Sequence, residues 1–369
     1  MSAQAQLTQA QKAEFTNLLV AQVSTYEPVK RFFSSLFTPI SAQAAIAKWN
    51  NRIVRNYRAT DVADFTAPAN VNKFAIQSQS SIFTPAYKES FTLDGLDSYK
   101  SLINSNDPTV GMLTDLVAET SFKVNAIQDK IRNNIEYQAT TLLFSDTMTY
   151  ANPLVPTTMG RGAWSKIAYT SGNNFASNSV NIFDRIGAFI KSLREHGSLP
   201  GNMEFLMVIS NDVWAAMEKN TTFRDRTVIP LNNVTSQLLE PQLSVDGTNH
   251  VATLSVQSYR VHIITSDYFL DIPGNDSTKE YFVPYGNILL MPLMTEKRDF
   301  GMVYGKVPIY RTATEYTTEI VRGRFEDRQF GISVLQSPDG RFTEIEVVSG
   351  GVPILFNKNR VLSAAVLDD

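Results

Sequence analysis

The chain has 369 residues, no cysteine, and a formal net charge of −3 at pH 7 with a pI near 5.8. This excludes disulfides and thiolate metal sites, and it speaks against a protein that grips phosphate backbones, since that work needs a concentrated basic face. Charged residues make up 19% of the sequence, below the roughly 25% of ordinary globular domains, so less surface than usual is committed to water and buried interfaces are expected.

No run approaches the ~18 consecutive apolar residues of a membrane helix, and Met1 to Gln6 lacks the basic-then-apolar pattern of a secretory leader. Synthesis in the cytoplasm and no membrane partner are the expectation. Residues 4–26 read as a polar-rich amphipathic helix with a thin seam of Phe15, Leu18, Leu19 and Val23, docked on its own domain or on a neighbour. Residues 30–49, with Phe32, Phe33, Leu36 and Phe37, read as a second docking segment. After Pro68 the period changes to two: Phe74, Ile76, Ile82, Phe83, Tyr87, Phe91 and Leu93 sit among Gln, Ser, Thr and Lys across 71–98. A hairpin this polar is marginal alone in water, so it is expected to lie on something beyond its own core.

A capped amphipathic helix follows at 107–144. Asp107 offers a carboxylate to free amide groups and Pro108 suits the first helical position. Leu113, Leu116, Val117, Val124, Ile127, Ile131, Ile135 and Leu142 recur at three- and four-residue steps, and Glu119 and Lys123 stand one turn apart in the favourable order. At 1.5 Å per residue the helix spans roughly 55 Å. A compact globule of this length has a radius of gyration of about 21 Å, so one compact globule is a strained reading.

Residues 148–178, rich in Thr, Asn, Gly and Pro, read as loop anchored by Trp164. Then come a helix at 180–196, a buried strand at 205–210, and a helix at 211–219 with capping side chains at Ser210, Asn211 and Asp212. A helical stretch at 233–239, a strand at 259–265, and strands at 280–283 and 287–291 joined by Pro284-Tyr285-Gly286 complete the unit. Alternating strands and helices imply a mixed α/β domain. Period two returns over 297–330, Ser337-Pro338-Asp339-Gly340 forms a turn, and 345–366 supplies the last apolar strands.

The search for chemistry is unproductive. Gly301-Met302-Val303-Tyr304-Gly305-Lys306 has three residues between its glycines where a phosphate-binding loop needs four, and Val307 stands where Ser or Thr would hold magnesium. Gly160-Arg161-Gly162 lacks the third glycine and preceding strand of a dinucleotide fingerprint. His196, His250 and His262 are scattered without zinc-site spacing, and no nucleophile elbow appears. Glu315, Glu319, Glu326 and Asp327 alternate with Arg311, Arg322, Arg324 and Arg328, a pattern of ion pairs within or between subunits rather than an acid/base pair. Asn220-Thr221-Thr222 and Asn233-Val234-Thr235 are glycosylation sequons by letter only. The chain therefore reads as a non-enzyme with no cofactor and no metal.

The order of parts resembles the major capsid proteins of tailed bacteriophages, in particular the lambda-type, major capsid protein E family. Ser81-Ile82-Phe83-Thr84-Pro85-Ala86-Tyr87 is similar to that family's Phe-Thr-Pro-Gly-Tyr segment, with Ala86 in place of glycine; Trp164-Ser165-Lys166 resembles its Trp-Ser-Lys after the long helix. Residues 263–270 and 280–290 resemble its strand, turn and strand, and 351–366 its closing segment. The likeness covers roughly residue 72 to the C-terminus and rests on the collinear order of these segments.

The resemblance implies an α+β fold of the Hong Kong 97 phage type. Its parts would be an N-terminal arm (1–67), an extended loop (68–106), a peripheral domain (107–180) with its spine helix at 107–146, an inserted axial α/β domain (181–296), return strands and loop (297–345) and C-terminal strands (346–369). It implies pentamers and hexamers of this chain closing into an icosahedral head around double-stranded DNA, with a portal, a separate scaffolding protein and a decoration protein as other partners, and a virion location. In the extended loop Ile82, Phe83, Pro85, Tyr87, Lys88 and Phe91 would touch the adjacent subunit, and Glu315, Glu319, Arg322, Arg324, Glu326 and Arg328 would form ion pairs. One branch welds subunits through Lys–Asn isopeptide bonds; Lys88 reads instead as a solvated or ion-paired lysine. An encapsulin-like compartment sharing the fold, and an α/β enzyme with a site in the inserted domain, are the rival readings.

Overall fold

The computed structural model describes residues 18–19, 31–41, 46–50, 79–83, 85, 87–94, 110–148, 160–170, 172–201, 203–227, 242–243, 248–272, 275–293, 299–305, 319–321, 330–336 and 342–368. In chain order the first elements are α1 (Phe32–Ser35), β1 (Thr38–Ser41), β2 (Ile46–Asn50), β3 (Gln79–Phe83), β4 (Tyr87–Asp94), α2 (Val110–Ser145) and β5 (Lys166–Ala168). Next come α3 (Ile182–Gly197), β6 (Phe205–Ile209), α4 (Asn211–Lys219), α5 (Thr221–Thr227), β7 (Gln242–Leu243), β8 (Asn249–Val256) and β9 (Tyr259–Thr265). The last are β10 (Phe269–Ile272), β11 (Asn275–Tyr281), β12 (Asn287–Pro292), β13 (Phe300–Tyr304), β14 (Glu319–Val321), β15 (Phe330–Gln336), β16 (Phe342–Ser349), β17 (Gly351–Leu355) and β18 (Leu362–Ala365).

The long helix is present as α2, 36 residues, or about 54 Å at 1.5 Å per residue. Val117, Val124, Ile131, Ile135 and Leu142 all lie on its buried side, and Lys123 meets Glu119 at 3.0 Å, as the period requires. The proposed start at Asp107 and Pro108 lies outside the described residues. Past Ile135 the amphipathic reading weakens: Glu136, Gln138, Ala139, Thr140, Leu142, Leu143 and Phe144 are all buried, Tyr137 and Thr141 are half-buried and only Ser145 is exposed, so this half is enclosed on most sides. Its polar groups turn back on the backbone, as where the Thr140 hydroxyl donates to the Glu136 carbonyl at 2.9 Å.

Both ends of that enclosed half are fixed by buried charge. The Glu136 carboxylate accepts the backbone N–H groups of Phe33 and Ser34 at 2.6 Å each, satisfying free donors at the start of α1. Burial pushes the Glu136 carboxyl above its ordinary pKa against the opposing pull of those hydrogen bonds. At the other end Asp146 is left-handed, φ 59°, with its N–H on the Leu142 carbonyl at 3.0 Å. Its carboxylate accepts the Arg161 backbone N–H at 2.7 Å and the Lys166 ammonium at 3.1 Å. The Arg161 guanidinium donates to the Phe144 carbonyl at 3.0 Å and the Ser363 hydroxyl at 3.1 Å, a cation on the negative end of the helix. Burial lowers its pKa to about 10.

A seven-stranded sheet of order β5-β18-β12-β6-β9-β8-β7 forms the centre. In β6 and β12 side chains alternate between two apolar compartments. Leu206, Val208, Leu289 and Met291 join α2 and α1 on one side; Phe205, Met207, Ile209, Ile288 and Leu290 join α3, α4 and α5 on the other. The α/β unit anticipated at 181–296 thus borrows two strands from outside those bounds, β5 and β18, the latter pairing antiparallel with β12 and parallel with β5. Within the unit, α3, β6, α4 and β9 lie where the sequence places them; Asn181 rather than Val180 starts α3, its side chain accepting the Phe183 N–H at 3.2 Å. Ser210 precedes α4 without a side-chain cap, and the stretch 233–239 lies outside the described residues.

The strands around Pro284-Tyr285-Gly286 go to different sheets. The turn is there, with Gly286 at φ 66°, but β11 pairs with β10 while β12 pairs with β6 and β18. A three-stranded sheet β1-β13-β17 packs against α2 through β17. Gly301, the first glycine of the loop-like motif, is mid-strand in β13; a Cβ there would meet the Phe356 ring at 2.4 Å, so this glycine serves close packing, not phosphate.

The region read as a hairpin is organised differently. β3 pairs with β2, Ile46 opposite Phe83, whereas β4 is an edge of the sheet β14-β15-β16-β4, with Tyr87 opposite Ser349 and Asp94 opposite Phe342. Alternation in the sequence specifies strands but not their partners, and here the partners come from residues about 35 positions earlier and 260 later.

Candidate assembly surfaces

The loop residues anticipated as intersubunit contacts are largely covered by their own chain. Ile82 is 1% exposed within the core, Pro85 is buried, and Tyr87 and Phe91 are half-buried against the same cluster. Within the single chain Ile82 is a core residue and Pro85 is buried, while Tyr87 and Phe91 each keep part of their surface in water. The Phe83 side chain lies outside the described residues. Lys88 sits 3.3 Å from Glu346 of β16, the ion-paired reading. β4 also lies along the spine: Lys130 reaches Glu89 at 2.8 Å, and the Lys123 ammonium stands 5.8 Å from the Phe91 ring. Of the proposed ion-pair set, Glu315, Arg322, Arg324, Glu326 and Arg328 lie outside the described residues, and Glu319 is described only as backbone, opposite Val334.

Exposed apolar groups lie elsewhere. Phe122, on the outer face of α2, is 73% exposed, and Ala118 and Ala126 one turn to either side are exposed with it. Phe269 and Tyr281 face each other across the two-stranded β10–β11 ribbon, rings edge-on at 5.8 Å, and both are exposed. The base of this ribbon is held on the spine side, where Tyr268 stacks on Phe282 at 4.9 Å and the Tyr137 hydroxyl donates to Glu280. Hydrogen bonding to Glu280 and burial raise the Tyr137 pKa, burial contributing more. Large aromatic groups left in water are the type that anchors interfaces.

On the opposite face of the central sheet an open cleft of about 560 Å³ lies between α3 and the β8–β9 turn, lined by Gly187, Lys191, Arg194, Glu195, Leu199, Gln257 and Tyr259. The Arg194 guanidinium donates to the Tyr259 hydroxyl and lies 5.0 Å over its ring centre. Gln257 and Ser258 carry φ of 48° and 73°, both left-handed as a two-residue hairpin turn demands, although neither is glycine.

Two of the three histidines meet in space. β8 and β9 bring His250 and His262 to 6.0 Å between ring centres, in a hydrogen-bonded chain from His250 through Thr253 and His262 to Glu204, which Arg260 also meets at 3.0 Å. The hydrogen bond from His262 holds the Glu204 carboxyl below its ordinary pKa, and burial holds His250 below its own. Among the described residues no three His, Asp or Glu side chains converge as a metal site, and no helix is long and apolar enough to cross a membrane. His196 stacks on Trp164 at 4.2 Å, fixing the loop anchor to α3. Gly160-Arg161-Gly162 belongs to the helix-end cluster, with Arg161 buried.

No protein-family model matches the sequence, nor does the sequence of any curated protein. In structure the chain is similar to the candidate capsid protein of a prophage in Escherichia coli CFT073, at TM-score 0.56 and 13% identity over 98% of this chain and 99% of the other. It is also similar to a phage-related protein of Bordetella bronchiseptica RB50, at TM-score 0.51 and 10% identity over 96% and 98%. The chain has the Hong Kong 97 phage-type capsid fold. Within this capsid fold the spine is α2, and the α/β unit is the central sheet with α3, α4 and α5. The chain is more weakly similar to the holo-SrpI encapsulin complex of Synechococcus elongatus PCC 7942, at TM-score 0.41 and 10% identity over 93% of this chain and 92% of that one.

Proposed function

We propose that the chain is the major capsid protein of a tailed phage, a structural subunit that assembles through pentamers and hexamers into an icosahedral head around double-stranded DNA. One observation carries the reading: the likeness to the candidate prophage capsid protein runs through 98% of this chain and 99% of that one, so it takes in spine, return strands and α/β unit together. The exposed aromatic groups on α2 and on the β10–β11 ribbon support it, because subunits meeting through two different surfaces close into rings. Mild acidity also suits a container, since strong attachment to DNA would resist packaging and release. On this reading the protein works without a cofactor and resides in the virion, having assembled in the host cytoplasm with a scaffolding protein and a portal.

Electron microscopy and sedimentation of the purified chain, alone and with the scaffolding protein of its own genome, test the reading. Rings or closed shells are expected. A compact monomer under both conditions overturns it, and shells filled with an enzyme cargo in place of DNA move the assignment to a protein compartment.

A further inference from the structure

We infer that the β10–β11 ribbon of one subunit docks into the α3 cleft of the next copy of this chain; the inference rests on the shell reading above and names a contact within it. The ribbon is a two-stranded sheet with no third strand among the described residues, a construction that is marginal unless something covers it. Its Phe269 and Tyr281 are 42% and 52% exposed. Between 267 and 281 the sequence carries four carboxylates, Asp267, Asp271, Asp276 and Glu280, against one cation, Lys279; Lys279 pairs with Asp271 and lies over the Phe269 ring, and Glu280 accepts from Tyr137, so the ribbon keeps a net negative charge beside its aromatic pair.

The cleft has the complementary chemistry. Lys191 and Arg194 line it over a floor of Leu199 and Tyr259, and the single carboxylate, Glu195, lies 4.0 Å from Lys191. A guanidinium beside an aromatic floor accepts a further aromatic ring by stacking and a carboxylate by hydrogen bonding. The rim is the Gln257–Ser258 hairpin turn.

Placement decides the occupant. The ribbon is rooted in the apolar compartment on the α2 side of the central sheet, and the cleft lies on the α3 side. A ribbon cannot reach through its own sheet, so an acidic aromatic ribbon that fills a basic cleft must come from a second copy, and such a heterologous contact, repeated, closes into a ring.

The test reverses charge at two exposed positions outside both cores. Lys191→Glu and Asp271→Lys, side chains 77% and 68% exposed, are each expected to weaken ring formation about tenfold by setting like charges opposite one another, with circular dichroism unchanged and monomer melting shifted only by the loss of an exposed ion pair, with Glu195 or Lys279. Combining the two restores opposite signs and is expected to recover most of the loss. In this cysteine-free chain, Lys191→Cys with Tyr281→Cys joined by a short bis-maleimide is expected to give a ladder of covalent oligomers. If the wild-type chain forms rings while neither the charge rescue nor the ladder appears, the contact is wrong and the shell reading stands. If the wild-type chain remains monomeric with its scaffolding protein present, both fall.

Discussion

Glu136 accepts the backbone N–H of Phe33 at 2.6 Å, and the two residues are 103 positions apart. A side chain of the spine therefore starts the only turn of helix that α1 possesses, and Phe33, 2% exposed, is held in the main core by it. Removing the acceptor with Glu136→Ala leaves buried N–H groups unpaired and is expected to cost about 1–3 kcal/mol, read by urea denaturation. The pH dependence has a definite sign. The carboxyl's pKa is raised in the folded chain, chiefly by burial, so the folded state holds more protons than the unfolded one between the ordinary carboxylate value and the raised value. Stability falls as pH rises through that window. Glu136→Gln does not titrate, so the advantage of the wild type over it should be largest in acid and should shrink toward neutral pH; an advantage that grows instead contradicts the assignment.

The helix end gives a graded series. Asp146 combines a left-handed backbone with a carboxylate that receives Arg161 and Lys166. Asparagine tolerates that backbone but loses the charge; alanine loses both, with about 1–2 kcal/mol of added backbone cost. Asp146→Ala should therefore unfold at lower denaturant than Asp146→Asn, and equal midpoints would remove the backbone contribution.

Ile82 distinguishes a core role from an interface role. At 1% exposure in its own chain, Ile82→Ala is expected to destabilise the isolated subunit by about 2–5 kcal/mol. Deleting 72–98 should do worse, because it strips β4 from β16 along eight paired positions. A normal melting transition for either variant returns this segment to the surface.

Phe122 should behave in the opposite way. With 73% of its surface already in water, Phe122→Ser is expected to change subunit stability by no more than about 0.5 kcal/mol while reducing assembly, measured by sedimentation at fixed protein concentration. A large fall in melting temperature with assembly intact would show that the ring matters to the subunit and not to its neighbours.

What the sequence made legible was local. The three- and four-residue steps from Val117 to Leu142 define α2, and the apolar patterns locate α3, β6, α4 and β9, because each is set by neighbours within one or two turns. Pairing was not legible. Ile82 and Tyr87 alternate as strand residues should, but nothing local says that one strand pairs with Ile46–Asn50 and the other with Phe342–Ser349. The buried polar hubs were hidden for a related reason. Asn220 looked like a sequon, yet it is 1% exposed and donates to the carbonyls of Phe175, Ser177 and Val180; Arg161 looked like part of a glycine-rich loop. Each takes its meaning from partners 15 to 202 positions away. For the assembly surfaces, a period-two stretch without local cover signals contact but does not say whether the cover is the same chain or another.

The alternation of side chains in β6 and β12 has a mechanical consequence. Each strand is a wall common to two apolar compartments, so opening its backbone hydrogen bonds wets both at once. Their amides should exchange with solvent only through global unfolding, and neither half of the subunit should melt by itself. A particle tiled from such bodies yields under internal pressure at the seams between them before any body deforms.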